Sequence, residues 1–306
     1  MVPLKISLPD HFLDEEERCG YVVSHEMKKV WAVMLDLLAE FDRVCQKHNL
    51  KYQASWGTLL GAVRHKGIIP WDDDLDVQMF REDYDKLCEL GPSVFQHPYF
   101  FQSKYTDPGM GYLCCKLRNS ETTALSNSEK NSITDYNKGI FIDIFPVDRI
   151  PDDPNERESL FNAVKEKRLE VIAEGRKLGI FSETESKIQH IVKKLLYKIL
   201  VGRRKRHLPE FLQSYKELNK LCGKFNQTET QQVAMLMYYP PEANIMYRED
   251  YEEIVYMDFE FLKIPVAKGY DHALKTLYGD YMKFYIKEAH SAFFDTDKSY
   301  IEYTGL

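Results

Sequence analysis

Three aspartates have the residue type and spacing that metal-dependent phosphate chemistry requires. Asp74 and Asp76 lie two residues apart in "DDDLDVQMF". If that stretch is a strand, both carboxylates point to one face, because strand side chains alternate. Asp143 stands between two isoleucines in "IFIDIFP", which predicts a second strand with the isoleucines in the core and the acid on the other face. The three carboxylates are therefore expected to converge.

A divalent cation is the simplest partner for such a group of acids. Neighbouring carboxylates repel each other and raise one pKa, whereas a bound cation keeps both ionised. Three carboxylates from two strands suit phosphoryl or nucleotidyl transfer, in which two metal ions clamp the attacking and leaving oxygens. Asp74, Asp76 and Asp143 are predicted as metal ligands and catalytic residues, with Mg²⁺ as the cofactor and Mn²⁺ as the alternative. An isolated pair of this kind is more often a solvated acidic loop.

A second feature of the same stretch is suited to phosphate. "LKYQASW" alternates like a half-buried strand, breaks at Gly57-Thr58 and continues as the short helix "LLGAVRH". Backbone N–H groups at such a turn, at a helix N-terminus, bind anions. Arg64, His65 and Lys66 follow and could neutralise phosphate charge.

These residues must be positioned by a mixed sheet. Apolar residues at three- and four-residue steps predict an amphipathic helix over residues 22 to 48. Strands are predicted in "LKYQASW", "LDVQMF", "YFFQSKY", "YLCCKLR" and "GIFIDIFPVD". The predicted fold class is α+β, a nucleotidyltransferase-like mixed β-sheet of about five strands flanked by helices, with an additional helical segment.

The remaining chain divides by composition. Residues 155 to 226 are rich in helix formers and in Lys and Arg, and residues 252 to 281 suggest a hairpin and a last helix. We predict a catalytic core with its N-terminal helix in residues 1–150, a helical layer in 151–226 and a C-terminal segment completing the core in 227–306.

Composition and charge exclude some functions. The chain has 306 residues, 44% of them hydrophobic, and a formal net charge of -7, so no nucleic-acid partner is expected. Six cysteines without a CxxC spacing are expected to be free thiols. No signal-peptide or membrane-spanning pattern occurs, which predicts a cytoplasmic protein. The basic cluster at 203–206, after an apolar stretch, predicts contact with the inner membrane surface through residues 193–206, or else a solvated helix end.

The ordered motifs resemble a known family. A Gly-Thr turn, a DhD strand and a later hDh strand, where h is hydrophobic, resemble the nucleotidyltransferase fold. "WGTLLGAVRHKGIIPWDDDLDV", "FIDIFPVD" and the late "YDHALKTLYGDYM" resemble the LicD family, whose relatives include the fukutin-like proteins. The similarity covers residues 25 to 150 closely and the end of the chain more loosely.

The resemblance implies a transferase that moves a phospho-alcohol, typically phosphocholine, from a CDP-activated donor such as CDP-choline to a hydroxyl of a cell-surface glycan, teichoic acid or lipopolysaccharide precursor. The acceptor would contain carbohydrate and could be lipid-linked. Asp74 and Asp76 would hold Mg²⁺, and Asp143 would complete the metal site or act as the base. The donor phosphates would be bound by Gly57, Thr58, Arg64 and Lys116. The supporting residues around the site would be Asp72, His65 and Trp71.

Two alternatives remain open on the sequence. The same fold could transfer a nucleotide to a small molecule, or the chain could be a catalytically silent module that binds nucleotide or glycan. A choline head group would require an aromatic face, for which Trp56, Trp71 or one of the 20 tyrosines could serve.

Overall fold

The computed structural model of the protein describes residues 1–125, 136–178, 197–238, 240–286 and 292–304, and the backbone alone over 197–205. The chain starts with a small hairpin of β1 (Glu16–Arg18) and β2 (Tyr21–Val23), followed by helix α1 (His25–Lys47). The Ser24 hydroxyl caps α1 by accepting the N–H of Met27. This confirms the predicted N-terminal helix, whose middle turns are buried against the sheet.

A seven-stranded mixed sheet forms the body of the protein. Its strands are β3 (Gln53–Ala54), β4 (Asp76–Phe80), β5 (Tyr99–Gln102), β6 (Cys115–Asn119), β8 (Ile140–Ile150), β9 (Gln232–Ala234) and β10 (Ile245–Tyr247). The long central strand β8 pairs in parallel with β4 along one edge. Along its other edge, β8 pairs in antiparallel fashion first with β6 and then with β9. All five predicted strands are present, and the fold class is confirmed.

Helices flank this sheet and form a separate layer. They are α2 (Trp56–Arg64), α3 (Arg81–Val94), α4 (Pro154–Lys177), α5 (Tyr197–Cys222), α6 (Arg248–Glu252), α7 (Tyr270–Tyr278) and α8 (Ile301–Thr304). The main apolar core lies between α1 and the sheet, whereas α4 and α5 pack on each other around a second apolar cluster. The predicted helical layer is thus observed over its described residues, while the domain boundaries stay predictions.

Two further strand pairs complete the fold. Strand β7 (Thr123–Leu125) pairs with β13 (Phe293–Asp295), and β11 (Ile254–Phe259) forms the predicted hairpin with β12 (Leu262–Ala267). Among the described residues, no helix is both long and apolar enough to cross a membrane.

One boundary differs from the prediction at the site. Asp74 was expected on the same strand as Asp76, but β4 begins at Asp76 and Asp74 lies in the preceding loop. The reason is that the chain turns just before, where Asp72 N–H donates to Ile69 O at 2.9 Å, and joins the sheet only when Leu75 O accepts the N–H of Asp143.

Candidate active site at the start of the parallel strands

Two carboxylates stand side by side at the start of the parallel strand pair. Asp76 on β4 and Asp143 on β8 are paired residues in the register, and they are 9% and 8% exposed. Ile142 and Ile144 are fully buried on the other face of β8, as the alternation predicts. The sheet therefore brings together two of the three predicted acids.

The loop before β4 adds further acids. Asp72, Asp73 and Asp74 offer carboxylate oxygens that all lie within 4.8 Å of one another. Asp72, Asp74 and Asp76 line a common cavity of about 380 Å³. Asp74 thus reaches the predicted site from a loop, and Asp72 lines the same cavity.

Acids outnumber bases at this site. The pKa of the Asp76 carboxyl is raised well above its ordinary value, first by burial and then by Asp74, Asp143 and Asp72. Lys116 opposes this shift, and its ammonium lies 2.5 Å from Asp143 Oδ1. Burial and the three neighbouring acids together outweigh Lys116 at Asp76.

This donor set fits a hard divalent cation. All the ligand atoms on offer are carboxylate oxygens, which Mg²⁺ prefers in proteins. Crowding of partly buried carboxylates is unfavourable without a cation, and the raised pKa of Asp76 reports that crowding. Asp74, Asp76 and Asp143 are the residues that would hold Mg²⁺, and Asp72 is close enough to support them.

The Gly57-Thr58 turn lies at the same cavity as the acids. Gly57 lines the cavity, and a Cβ at Gly57 would lie 2.6 Å from Asp72 Oδ2, so the close approach of that carboxylate requires glycine. The Thr58 hydroxyl accepts the N–H of Asp76 at 2.8 Å and is buried. The Thr58 side chain therefore fixes the start of β4.

Arg64 and His65 were both expected to act as cations, but their surroundings in the structure differ. Arg64 lines the cavity, and its guanidinium donates to Tyr281 O at 2.7 Å and to Lys283 O at 3.2 Å. Burial, followed by the neighbouring Arg64 and Arg18, lowers the pKa of His65 to about 4. The expectation that His65 neutralises phosphate charge is wrong, because its imidazole is uncharged at neutral pH. Trp71 lies on the cavity wall in edge contact with His65.

A later segment of the chain also lines the cavity, through Tyr278, Asp280, Tyr281, Lys283 and Tyr285. The pKa of the Tyr278 hydroxyl is raised, mainly by burial and then by the acids of the site. These residues were not predicted as site residues, although the quoted late motif contains the first three. Membrane contact was expected through residues 193–206, of which residues 193–196 and the side chains of 197–205 lie outside the described part of the chain.

An aromatic cluster lies beside Asp143. Phe145 follows Asp143 by two residues on β8 and so shares its face of the sheet. The ring centroid of Trp56 lies 4.6 Å from that of Phe145 and 4.7 Å from that of Tyr238. Trp56 has a φ of 38°, an unusual conformation for a residue other than glycine and one that clusters at functional sites. Tyr238 is exposed, which makes this cluster accessible from solvent.

Fold and site together define a nucleotidyltransferase-like domain: a mixed sheet with paired acids on adjacent strands and a small turn before them. Comparison with known proteins agrees. Residues 49–169 match the family described as the LicD/FKTN/FKRP nucleotidyltransferase domain.

Individual proteins are also similar to this chain. The chain is 25% identical to the lipopolysaccharide cholinephosphotransferase LicD of Haemophilus influenzae over 257 residues, which covers 82% of this chain and 89% of that protein. An uncharacterized protein of Rickettsia prowazekii is 44% identical over 66 residues, 22% of this chain and 25% of that protein. The similarity to the Haemophilus protein extends well beyond the catalytic core.

Proposed function

We propose that the protein is a Mg²⁺-dependent transferase that moves phosphocholine from CDP-choline to a hydroxyl of a carbohydrate-containing acceptor. The observation that carries this proposal is the acid cluster of Asp74, Asp76 and Asp143 within a LicD-family domain. The Haemophilus relative is named for cholinephosphate transfer to lipopolysaccharide, which supports phosphocholine as the group and a glycolipid as the acceptor class.

The reaction exchanges the phosphoanhydride bond of the donor for a phosphodiester bond to the acceptor. The acceptor oxygen forms a bond to the phosphorus that carries choline, the bond from that phosphorus to the CMP oxygen breaks, and CMP leaves. The acceptor hydroxyl loses its proton to a base, a role that Asp143 would fill. Mg²⁺, when bound, would stabilise the charge that develops on the phosphate oxygens.

The other residues of the site would have separate roles. Asp74 and Asp76 would orient the cation, while backbone N–H groups at the start of α2 would contact the phosphates. Lys116, held against Asp143, adds a fixed positive charge at the edge of the acid cluster. Arg64 acts by holding the wall formed by residues 281–283.

The aromatic cluster supports choline as the head group. A quaternary ammonium is attracted to the faces of aromatic rings, most strongly to tryptophan. Trp56 and Tyr238 offer such rings next to Phe145, which shares a face with Asp143. An alcohol without charge, such as glycerol or ribitol, would gain less from these rings.

Donor selection and product mass test the proposal. The purified protein is incubated with Mg²⁺, a carbohydrate acceptor prepared from lipopolysaccharide, and CDP-choline, CDP-glycerol, CDP-ribitol, CTP or ATP in turn. We expect release of CMP from CDP-choline and a gain of one phosphocholine group on the acceptor.

Other outcomes would replace the proposal. Addition of CMP or AMP to a small molecule would identify a nucleotidyltransferase. Turnover with CDP-glycerol or CDP-ribitol but not with CDP-choline would keep the chemistry and contradict the head group. Binding that raises the melting temperature without any turnover would indicate the silent module.

A further inference from the structure

The loop that delivers the acids to the site is held by residues from distant parts of the chain. We define the acidic loop as residues 65–75, which join the end of α2 to β4 and contain no helix or strand. We propose that Glu260, clamped by Arg18, is a positioning residue that holds the acidic loop in the geometry needed to bind the cation. Its effect on turnover rests on the proposed function, but its effect on the loop does not.

Glu260 attaches to the loop at two points. Its carboxylate oxygen Oε1 accepts the N–H of Ile68 at 3.0 Å, and its own N–H donates to Lys66 O at 2.8 Å. A Cβ on Gly67 would lie 2.3 Å from Oε1, so the glycine between these two contacts allows the carboxylate to approach. The turn of the β11–β12 hairpin is thus docked on the backbone of the loop.

Arg18 keeps the Glu260 carboxylate in place. Arg18 Nη1 lies 2.5 Å from Oε1, and Nη2 lies 2.9 Å from Oε2. The Glu260 side chain is 5% exposed, and a buried carboxylate requires compensation of this kind. Both residues lie outside the stretch 49–169 that matches the family domain.

The same support reaches the other end of the loop. Arg18 lies 5.5 Å from the centroid of the Trp31 ring, and Trp31 Nε1 donates to Asp72 O at 3.2 Å. The cluster of Arg18, Trp31 and Glu260 therefore contacts the loop at residues 66–68 and again at Asp72, its first acid.

Backbone conformation gives an independent sign that the contact is needed. Lys66 and Glu260 both have a φ of 55°, in the left-handed region that residues other than glycine rarely adopt. Such conformations persist only where the surroundings hold them. Loss of the Glu260 carboxylate removes that restraint, and Ile68 N–H loses its acceptor.

The test compares Glu260→Ala and Glu260→Gln with Asp258→Asn in the same hairpin, which breaks an exposed ion pair with Lys263. Three quantities are measured: amide hydrogen exchange of residues 66–75, the rise in melting temperature on adding Mn²⁺ alone, and turnover. For Glu260→Ala we expect exchange at Ile68 to accelerate at least about 10-fold, the Mn²⁺ response to shrink and turnover to fall about 10–100-fold, as for residues that orient metal ligands. Glu260→Gln keeps an acceptor for the Ile68 N–H, so all three quantities should lie between those of the wild type and of Glu260→Ala. Asp258→Asn should match the wild type in all three.

Arg18→Met serves as a second probe, because it leaves both contacts of Glu260 with the loop in place and removes the guanidinium, which also contacts Glu16 and Trp31. Unchanged exchange at 66–75 in folded Glu260→Ala or Arg18→Met would overturn the proposal. Faster exchange with an unchanged Mn²⁺ response would also overturn it, since the contact would then be structural only. If the wild type shows no transferase activity, the proposed function fails, whereas the exchange and Mn²⁺ measurements still decide the role of Glu260.

Discussion

Buried charged side chains are paired at one end of the parallel strands β4 and β8 and crowded together at the other. Where β4 ends, Arg81 Nε and Nη2 donate to the two oxygens of Asp148 at 2.8 Å and 2.7 Å, and Asn226 adds a third contact to Asp148 at 2.9 Å. A buried cation meets a buried anion there, and the exposed Asp85 lies 3.6 Å from the same guanidinium. At the start of the strands, Asp76 and Asp143 share one lysine with the acids of the loop.

The difference separates a matched ion pair from a crowded group of acids. A matched, hydrogen-bonded pair satisfies itself, and removing one partner leaves a charge buried without compensation. At the other end, burial and neighbouring acids oppose the ionisation of Asp76, and a bound cation would relieve that opposition. The comparison predicts opposite effects on stability when a charge is removed at each end.

The largest effect on stability is expected at the matched end. Arg81→Ala should lower the free energy of unfolding by about 3–5 kcal/mol, because Asp148 then remains buried and unpaired. Urea denaturation followed by circular dichroism measures this. The double variant Arg81→Met with Asp148→Leu should recover much of the loss, since it removes both charges. A loss below about 1 kcal/mol in Arg81→Ala would mean that the pair is not a structural charge pair.

The effect at the acidic end should be smaller and of opposite sign. Asp76→Asn removes a carboxylate whose ionisation its neighbours oppose, so without divalent metal the free energy of unfolding should equal or exceed that of the wild type. The same urea titration, run in a chelator, checks this. A clear loss of stability in Asp76→Asn would contradict the view that the acids are crowded.

Sequence alone predicted those parts of the site that depend on local periodicity. Alternation along β8 places Asp143 opposite the two buried isoleucines, and the parallel pairing with β4 brings Asp76 beside it. Asp74 lines the same cavity as Asp76, but it lies in a loop and not on β4 as its spacing predicts. A turn and a tertiary contact between Trp31 and Asp72 end the strand pattern before it.

The parts that were missed depend on contacts between distant residues. The ion pair of Arg18 with Glu260 joins residues 242 apart in sequence, and no local pattern marks either of them. His65 looks like a cation in the sequence, yet burial and two arginines keep it neutral. The cavity wall formed by Tyr281 and Lys283 likewise depends on Arg64 reaching their carbonyl groups.

The most direct test of the central claim is a calorimetric titration of Mg²⁺ into the wild type and Asp76→Asn, with Arg81→Met/Asp148→Leu as a control at the other end of the strands. If the acidic end is a cation site, the wild type and the control should bind Mg²⁺ alike. Asp76→Asn should then bind at least about 10-fold more weakly. Equal binding by the wild type and Asp76→Asn would contradict the account.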